Sequence, residues 1–317
     1  MTAPTESLAL ASEGSGSPAG SPTPWKRVVA AFRSTPSVII CSIILGLIVL
    51  MAVFAPLLAK ITGWGPTDFD ASAIDPNQGG KPLGALGGVS VDHWFGVEPG
   101  NGRDIFIRIA YGAQVSLTIA VVAAVITTVV GVVLGMLAGF FGGWLDTIIS
   151  RVMDFLMAFP QLIFMIAILS ALPSGNRPVL LVVVLSVFGW PYTARVIRGQ
   201  AMSLRNEEFV EAAMAAGASR MRISFKEILP NLRGTIIVLA TIAIPQYIGT
   251  EAGLSFLGVG VTPPTPSWGQ MISDSVGWYA VDPMYFIFPG LFLFLTVLCC
   301  TVVGDHLKRE LDEGGAA

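Results

Sequence analysis

Six long apolar runs divide the chain, and apolar residues follow one another in each run instead of alternating with polar ones. The runs cover, approximately, residues 38–59, 115–139, 152–172, 179–198, 235–257 and 285–304. Each is close to the length of about 20 apolar residues that an α-helix needs to cross the hydrocarbon core of a bilayer. The strands of a membrane barrel would alternate in polarity. The pattern therefore predicts an all-α integral membrane protein with about six transmembrane helices.

The composition of the chain also indicates a membrane protein. Its 317 residues are 53% hydrophobic and only 12% charged, and the mean hydropathy is +0.73. A soluble globular domain carries about 25% charged residues, so this chain has too few charges for a water-facing surface of its size. A net charge of −3 gives no reason to expect a nucleic-acid partner.

The cysteines and histidines do not predict a metal site. Cys41, Cys299 and Cys300 all lie in apolar runs and are interpreted as small apolar residues. No spaced set of Cys and His is present that resembles a zinc site. His93 is interpreted as structural, because nothing near it in the sequence supplies further ligands.

The apolar runs and the segments between them divide the chain into four predicted parts. Residues 1–35 form a tail rich in Ala, Ser, Gly and Pro, which is predicted to be disordered. Residues 36–112 hold the first span and a long extracytoplasmic loop. Residues 113–305 form the transmembrane core, which includes a charged segment at 206–233. Residues 306–317 form a second tail.

The lysine and arginine residues indicate the orientation of the spans. Six spans that begin in the cytoplasm place both termini there. The segments on that side then hold 13 of the 18 Lys and Arg residues. This excess agrees with the positive-inside rule, so both tails and the segment 206–233 are predicted to be cytoplasmic.

The charged segment predicts a helix, a turn and a second helix. Glu211 lies in the first turns of the first helix, where carboxylates favour the positive helix end. Gly217 permits a turn that a Cβ would resist. The second helix is predicted at residues 219–228 and is expected to end at Pro230, because proline removes a backbone donor.

Two interpretations of this helix–Gly–helix segment follow from its residues alone. It forms a rigid peg that contacts another protein in the cytoplasm, or it forms a basic amphipathic hairpin that lies on anionic lipid. The residue pattern leaves both open.

A known motif matches seven residues of the segment at fixed separations: Glu211, Ala212, Ala213, Gly217, Ile228, Leu229 and Pro230. They resemble the EAA motif in the cytoplasmic loop of permease subunits of binding-protein-dependent ABC importers. In that family the loop lies in a groove of the ATPase subunit and transmits its closure to the membrane helices. The resemblance therefore implies that segment 206–233 is a coupling loop.

Similarity to one branch of this family covers most of the chain. Stretches that begin at His93, Gly139 and Glu251 are similar to permeases of the oligopeptide/dipeptide/nickel importers, although Val97-Glu98-Pro99 departs from the pattern. The chain is identified on this resemblance as a C-type permease subunit of that family, with residues 1–35 and parts of the outer loop outside the match.

The resemblance implies a set of partners and a location. The chain would form half of a pathway with a second homologous permease, in the bacterial cytoplasmic (inner) membrane. Two cytoplasmic ATPase subunits would hold ATP and Mg²⁺, and an extracytoplasmic substrate-binding protein would deliver short peptides, or nickel or another small solute as the alternative. The chain itself is expected to carry no cofactor and not to be an enzyme, and no P-loop sequence occurs in it.

A stand-alone secondary transporter is the second hypothesis. Such a protein needs protonatable groups along a path through the membrane. The scarcity of acidic residues within the apolar runs argues against it.

Three residues are candidates for a gate or a pathway. Arg103 and Asp104 precede the second span, and they form a local pair at the membrane surface or simply begin the helix. Glu251 lies toward the outer end of the fifth span, where an acidic group is a functional candidate. It would meet a cationic group of the substrate, or accept hydrogen bonds from the loop near Ser255.

Two further patterns concern helix packing. Gly131, Gly135 and Gly139 form one smooth helix face for close contact, either within this chain or with a partner. The spacing of Arg151 and Asp154 favours a local ion pair on one helix.

Prolines occur within three of the spans. Pro160, Pro191 and Pro245 are predicted to interrupt them, because each frees backbone groups that must find other partners.

Overall fold

The computed structural model describes residues 35–173 and 175–313, so the predicted N-terminal tail lies, except for Thr35, outside the described residues. The helices are α1 (Pro36–Val53), α2 (Ala55–Thr62), α3 (Ile105–Met136), α4 (Gly143–Ala158), α5 (Gln161–Ala171), α6 (Arg177–Leu204), α7 (Glu208–Ala215), α8 (Arg220–Ile223), α9 (Leu229–Phe256), α10 (Trp268–Ser275) and α11 (Met284–Glu313). Two π-helical turns, Leu137–Phe141 and Ser224–Ile228, continue α3 and α8.

The loop between α2 and α3 contains a small hairpin. Strands β1 (Ile74–Asp75) and β2 (Lys81–Pro82) pair antiparallel, with Ile74 opposite Pro82. Short 3₁₀ turns at Ala71–Ala73 and Pro76–Gln78 precede and follow β1. This loop is therefore folded rather than a simple connection.

Five helical segments of the described residues are long and apolar enough to cross a bilayer by themselves: Pro36–Val53, Ile105–Phe141, Arg177–Leu204, Arg220–Phe256 and Met284–Glu310. They correspond to five of the six predicted spans. Along them, large apolar side chains such as Val129, Val183 and Phe294 remain more than half exposed, at 56%, 52% and 60%. A surface of this kind suits a hydrocarbon environment. The predicted all-α membrane fold is confirmed.

The third predicted span, residues 152–172, is a broken helix. α4 and α5 meet at an angle of 86°, and by length and composition the bent pair counts either as a broken sixth span or as a re-entrant loop. Phe159 has φ −95° and ψ 147°, the extended conformation that a residue before proline prefers. Pro160 cannot donate a backbone hydrogen bond, so the break falls at this dipeptide.

The prediction that Pro191 and Pro245 interrupt their spans is wrong. Both lie inside continuous helices, α6 and α9, and both are buried. Helices in a membrane bundle tolerate proline, because neighbouring helices and side chains satisfy the freed backbone groups. Pro160 is exposed. Packing around a proline, rather than its presence in the sequence, therefore decides where these helices break.

The first span is also shorter than predicted. α1 has 18 residues, and Phe54, with φ −90° and ψ 11°, separates it from α2. Pro56 lies at the second position of α2, where the missing N–H group is tolerated. The predicted run at residues 38–59 is therefore divided between α1 and α2.

The glycine face of α3 packs against α6 of the same chain. A Cβ atom on Gly135 would lie 2.6 Å from the carbonyl oxygen of Ala194, and one on Gly139 would lie 2.5 Å from that of Arg198. Such distances leave no room for a side chain. Of the two interpretations of the glycine spacing, the structure shows contact within the chain.

The loops gather at two opposite ends of the bundle. At one end, which we call the long-loop end (residues 63–104 and 257–283), Arg108 of α3 donates from its Nη1 atom to the carbonyl oxygens of Pro66 (2.8 Å) and Pro264 (3.4 Å). At the other end, segment 206–233 packs on the last turns of α3 and α6. This grouping of the loops is the one that the predicted topology requires.

Candidate functional site

Segment 206–233, the coupling-loop segment, turns sharply after α7 through a Schellman motif at Gly217. The φ angle of Gly217 is +79°. The N–H group of Ala218 donates to the carbonyl oxygen of Ala213, and that of Gly217 donates to Met214, both at 3.0 Å. These bonds satisfy two carbonyl groups that the helix end leaves free. Glycine adopts the left-handed conformation without a steric penalty.

The second half of the segment is one continuous helix into the membrane. Ser219 caps α8 by accepting a hydrogen bond at its Oγ atom from the N–H group of Arg222 (3.3 Å). The π turn at Ser224–Ile228 then leads directly into α9. The prediction that the helix ends at Pro230 is wrong, because the chain stays helical from the π turn through Pro230 into α9.

One face of the segment is buried against the transmembrane helices. Val210 of α7, Ile223 of α8 and Ile228 of the π turn are each 0% exposed. They form a cluster with residues from the ends of α3, α6 and α9, which are Met136, Phe140, Ile197, Ala201, Leu232 and Leu239. A displacement of the segment must therefore move the helix ends that it contacts, since a close-packed cluster deforms little.

The other face of the segment is exposed. Glu211 and Ala212 point to the surface, whereas Ala213 is half-buried and packs against the inner cluster. Four large apolar side chains are exposed on the same segment: Phe209 (38%), Met214 (44%), Met221 (54%) and Phe225 (60%). Of the remaining motif residues, Leu229 is half-buried and Pro230 is exposed. The segment also exposes charges of both signs, with Glu211 on α7 and Arg220, Arg222 and Lys226 on its second half. A surface that combines small, apolar and oppositely charged residues is compatible with a protein partner.

Two ion pairs join α4 to α6 beside the segment. Arg198 binds both carboxylate oxygens of Asp146, at 2.5 and 2.9 Å. Arg195 pairs with Asp154 at 2.5 Å, so the predicted local partner of Asp154, Arg151, is wrong. The spacing of Arg195 and Arg198 could have predicted these pairs, because residues three positions apart lie on the same face of a helix.

At the long-loop end, Arg103 and Asp104 have different partners. The Nε atom of Arg103 lies 2.6 Å from Oε2 of Glu98. Asp104 caps α3 by accepting a hydrogen bond at Oδ1 from the N–H group of Ile107 (2.7 Å). Arg103 and Asp104 therefore do not pair with each other, which was one of the two interpretations of the sequence. Asp104 instead has the second role, at the start of the helix.

His93 connects two carboxylates of the long loop. Its Nδ1 atom lies 2.9 Å from Asp104 and its Nε2 atom lies 3.2 Å from Asp70. Burial raises the pKa of Asp104, against the opposing effect of its hydrogen bonds from Ile107 and His93. The hydrogen bond from Ser72 lowers the pKa of Asp70, which is less buried. His93 is a structural residue here, as the sequence indicated.

A fully buried ion pair that the sequence did not single out as a site holds the long loop on α3. Glu98 and Arg108 are each 0% exposed, and their Oε1 and Nε atoms are 2.5 Å apart. The Nη2 atom of Arg108 also donates to Oε1 of Gln270 on α10 (3.2 Å). The hydrophobic pattern does not predict the bond between Arg108 and Gln270, because these residues are far apart in the chain.

Glu251 lies inside the protein near the end of α9. It is 0% exposed, and its Oε1 atom accepts a hydrogen bond from Oγ of Ser255 (2.7 Å). Ser255 in turn accepts a hydrogen bond from the N–H group of Val261 (3.0 Å). These contacts stabilise the turn that follows α9, the second of the two roles that the sequence allowed.

A broken-helix membrane bundle with a helix–Gly–helix segment packed on its helix ends has the architecture of a transport permease. The comparisons agree: residues 131–313 match the family described as binding-protein-dependent transport system inner membrane component, and residues 23–79 match the N-terminal TM domain of oligopeptide transport permease C. The chain belongs to this family. Its members are multi-pass transport subunits rather than enzymes, and they work with an ATPase and a substrate-binding protein.

Three curated relatives are similar along almost the whole chain. The oligopeptide transport system permease protein OppC of Bacillus subtilis is 39% identical over 91% of this chain and 89% of its own length. The dipeptide permease DppC of Alkalihalophilus pseudofirmus is 38% identical over 92% and 90%. The glutathione permease GsiD of Escherichia coli O157:H7 is 37% identical over 92% and 90%.

A solved structure shares the fold. The MetNI methionine ABC transporter, in inward-facing conformations, superposes with a TM-score of 0.52 at 21% identity, over 64% of this chain and 96% of the matched chain. The similarity at this identity concerns the fold alone.

Proposed function

We propose that this chain forms half of the translocation pathway of an ATP-driven importer of short peptides. The observation that supports this proposal is the similarity to three permeases named for oligopeptides, dipeptides and glutathione, each over about nine-tenths of the chain. Glutathione is itself a short peptide, so the three names share one substrate chemistry. Nickel or another small solute is the alternative cargo.

The proposed assembly contains a second homologous permease, two cytoplasmic ATPase subunits and an extracytoplasmic binding protein. ATP and Mg²⁺ would bind to the ATPase subunits. The exposed face of the coupling-loop segment, with Ala212, Met214 and Phe225, would contact an ATPase subunit. Closure of the ATPase subunits would move the segment, and the buried cluster around Val210 and Ile228 would pass that motion to α3, α6 and α9.

Purification of the tagged chain in mild detergent from its native host tests this assembly. We expect mass spectrometry to identify a second permease of the same family, P-loop ATPases and a binding protein. Reconstitution of the recovered complex in vesicles should then give ATP-dependent uptake of short peptides. A complex that accumulates nickel but no peptide would replace the proposed cargo, and a chain recovered repeatedly alone would favour a stand-alone transporter.

The proposed orientation places the coupling-loop segment and both termini in the cytoplasm. The test uses Ala216→Cys, at an exposed position of the segment, in a background without the three native cysteines. We expect a membrane-impermeant thiol reagent to label this variant only after the cells are permeabilised. The matched control is Val91→Cys at the long-loop end, where the native side chain is 91% exposed, and it should be labelled in intact cells. The reverse pattern would invert the topology.

A further inference from the structure

Three uncharged polar side chains are exposed on one surface in the middle of the transmembrane bundle. Tyr192 of α6 is 60% exposed. Gln161, at the start of α5, and Gln246 of α9 are also exposed. Together they line one side of a groove whose volume is about 400 Å³, and the buried Tyr247 is part of its lining.

These side chains lie within the spans. At a rise of about 1.5 Å per residue, Tyr192 is about 22 Å along α6 from Arg177 and about 5 Å from Arg195, the first charged residue on the side of the coupling-loop segment. Gln246 is about 15 Å from the end of α9 at Phe256. The groove therefore lies at the depth of the hydrocarbon core.

A lipid-facing position does not suit this surface. Hydrocarbon offers no hydrogen-bond partner to an amide or a phenol, so polar side chains at this depth face protein or a water-filled cavity. Between Arg177 and Tyr192, the other exposed side chains of α6 are apolar, namely Val179 (55%), Val183 (52%) and Val187 (46%). One side of the helix therefore suits lipid, and the side with Tyr192 does not.

The broken helix favours a water-filled cavity over a flat protein contact. The extended backbone at Phe159 and Pro160 lies between Met157 and Gln161, two residues that line the groove. Non-helical backbone at membrane depth is tolerated where it is buried in protein or lines a cavity, and discontinuous helices recur at transport sites near the midplane. A second depression continues from Gln161 and Gln246 to Thr250 and Gly253, toward the long-loop end.

We propose that this groove is the substrate-contacting surface of the subunit, and that Gln161, Tyr192 and Gln246 hydrogen-bond the backbone amides of a transported peptide. This inference rests on the function proposed above. Gln161 donates from Nε2 to the carbonyl oxygen of Phe188 (3.0 Å), which positions its amide while the oxygen remains available.

The chemistry of the lining indicates the class of cargo. Amide and hydroxyl groups donate and accept hydrogen bonds, as backbone amides do, and they do not distinguish one peptide side chain from another. Each residue that lines the groove is uncharged, and the set contains neither imidazole nor carboxylate. Nickel binds preferentially to imidazole and carboxylate groups. The lining of the groove therefore suits a peptide backbone rather than a metal ion.

Thiol labelling of the assembled transporter in membrane vesicles tests this inference. Gln246→Cys and Tyr192→Cys are compared with Val187→Cys, which lies on the opposite side of α6 from Tyr192, in a background without native cysteines. We expect a small hydrophilic thiol reagent to label the first two at least tenfold faster than the control. Alanine peptides of different lengths, added with the binding protein and ATP, should slow labelling of the two groove variants at least fivefold and leave the control unchanged.

A separate uptake assay with the unmodified complex distinguishes the two proposals. If that complex takes up peptides but neither groove variant is labelled faster than Val187→Cys, the surface is covered by protein or lipid and the inference is overturned. If peptides do not slow the labelling of the groove variants, the groove does not contact the cargo. That result would overturn the inference and leave the proposed importer function unaffected. A complex that transports no peptide would instead refute the proposed function, whatever the labelling.

Discussion

Replacement of Gly217 by aspartate is expected to reduce ATP-dependent uptake by the assembled importer at least tenfold, while the chain stays folded in the membrane. At the φ angle of +79° that Gly217 adopts, a residue with a Cβ is destabilised by about 1–2 kcal/mol of backbone strain. A Cβ there would meet no atom within 4 Å, so the substitution causes no clash. The strain weakens the Schellman turn, and the new carboxylate lies on the surface that contacts the ATPase in the proposed assembly.

The control for this experiment is Gly63→Asp. Gly63 ends α2 with the same φ of +79°, and a Cβ there also meets no atom within 4 Å. It therefore carries the same strain and the same added charge at the opposite end of the bundle. Membrane abundance, measured by immunoblot, should be similar for both variants, and only Gly217→Asp should lose peptide uptake. Normal uptake with Gly217→Asp would show that the segment has no coupling role.

The proposed groove and the coupling-loop segment are connected through the same helices. Tyr192 lies on α6, which leads into the segment, and Gln246 lies on α9, which continues from it. Met157 of α4 borders the groove, and α4 is joined to α6 by Asp146–Arg198 and Asp154–Arg195. The walls of the groove formed by α6 and α9 are therefore continuous with the segment, and α4 is joined to α6 by the ion pairs, which gives ATPase closure a short route to the cargo in the proposed assembly.

The sequence predicted those features that depend on residues close together in the chain. The apolar runs located the spans, because the length of an apolar helix is a local property. Glu211, Ala212, Ala213 and Gly217 marked the helix–Gly–helix turn, because the Schellman bonds join residues only a few positions apart. The break at Pro160 was also predicted, since the residue before a proline disfavours the helical conformation.

Features that depend on tertiary packing were missed. Pro191 and Pro245 look like Pro160 in sequence, yet buried surroundings keep their helices continuous. The partners of Arg103 and Asp154 are set by which helices and loops meet, and sequence spacing suggested nearer ones. The groove was not predicted from the sequence either, because its three polar residues lie on three different helices that come together only in the folded chain.

Replacement of Arg108 by alanine is expected to cause the largest loss of stability among the changes considered. Its side chain is 0% exposed and pairs with Oε1 of the equally buried Glu98, so the substitution leaves that carboxylate with Arg103 as its one remaining arginine partner. Removing one partner of a buried ion pair destabilises a protein by about 3–5 kcal/mol. The hydrogen bonds to Pro66 and Gln270, which hold the long loop and α10 on α3, are lost as well.

Thermal unfolding of the purified complex in detergent, with limited proteolysis of the long loop, measures this effect. Arg195→Ala is the matched control, because its pair with Asp154 is 48% and 56% exposed, and exposed pairs contribute about 0–1 kcal/mol. We expect Arg108→Ala to unfold at a clearly lower temperature and to be cleaved between residues 63 and 104, and Arg195→Ala to resemble the unmodified chain. Equal behaviour of the two variants would mean that the buried pair does not hold the long loop. Arg108→Lys, which keeps the charge but has fewer donors, should fall between them, since it retains the ion pair and loses the contacts that fix α10.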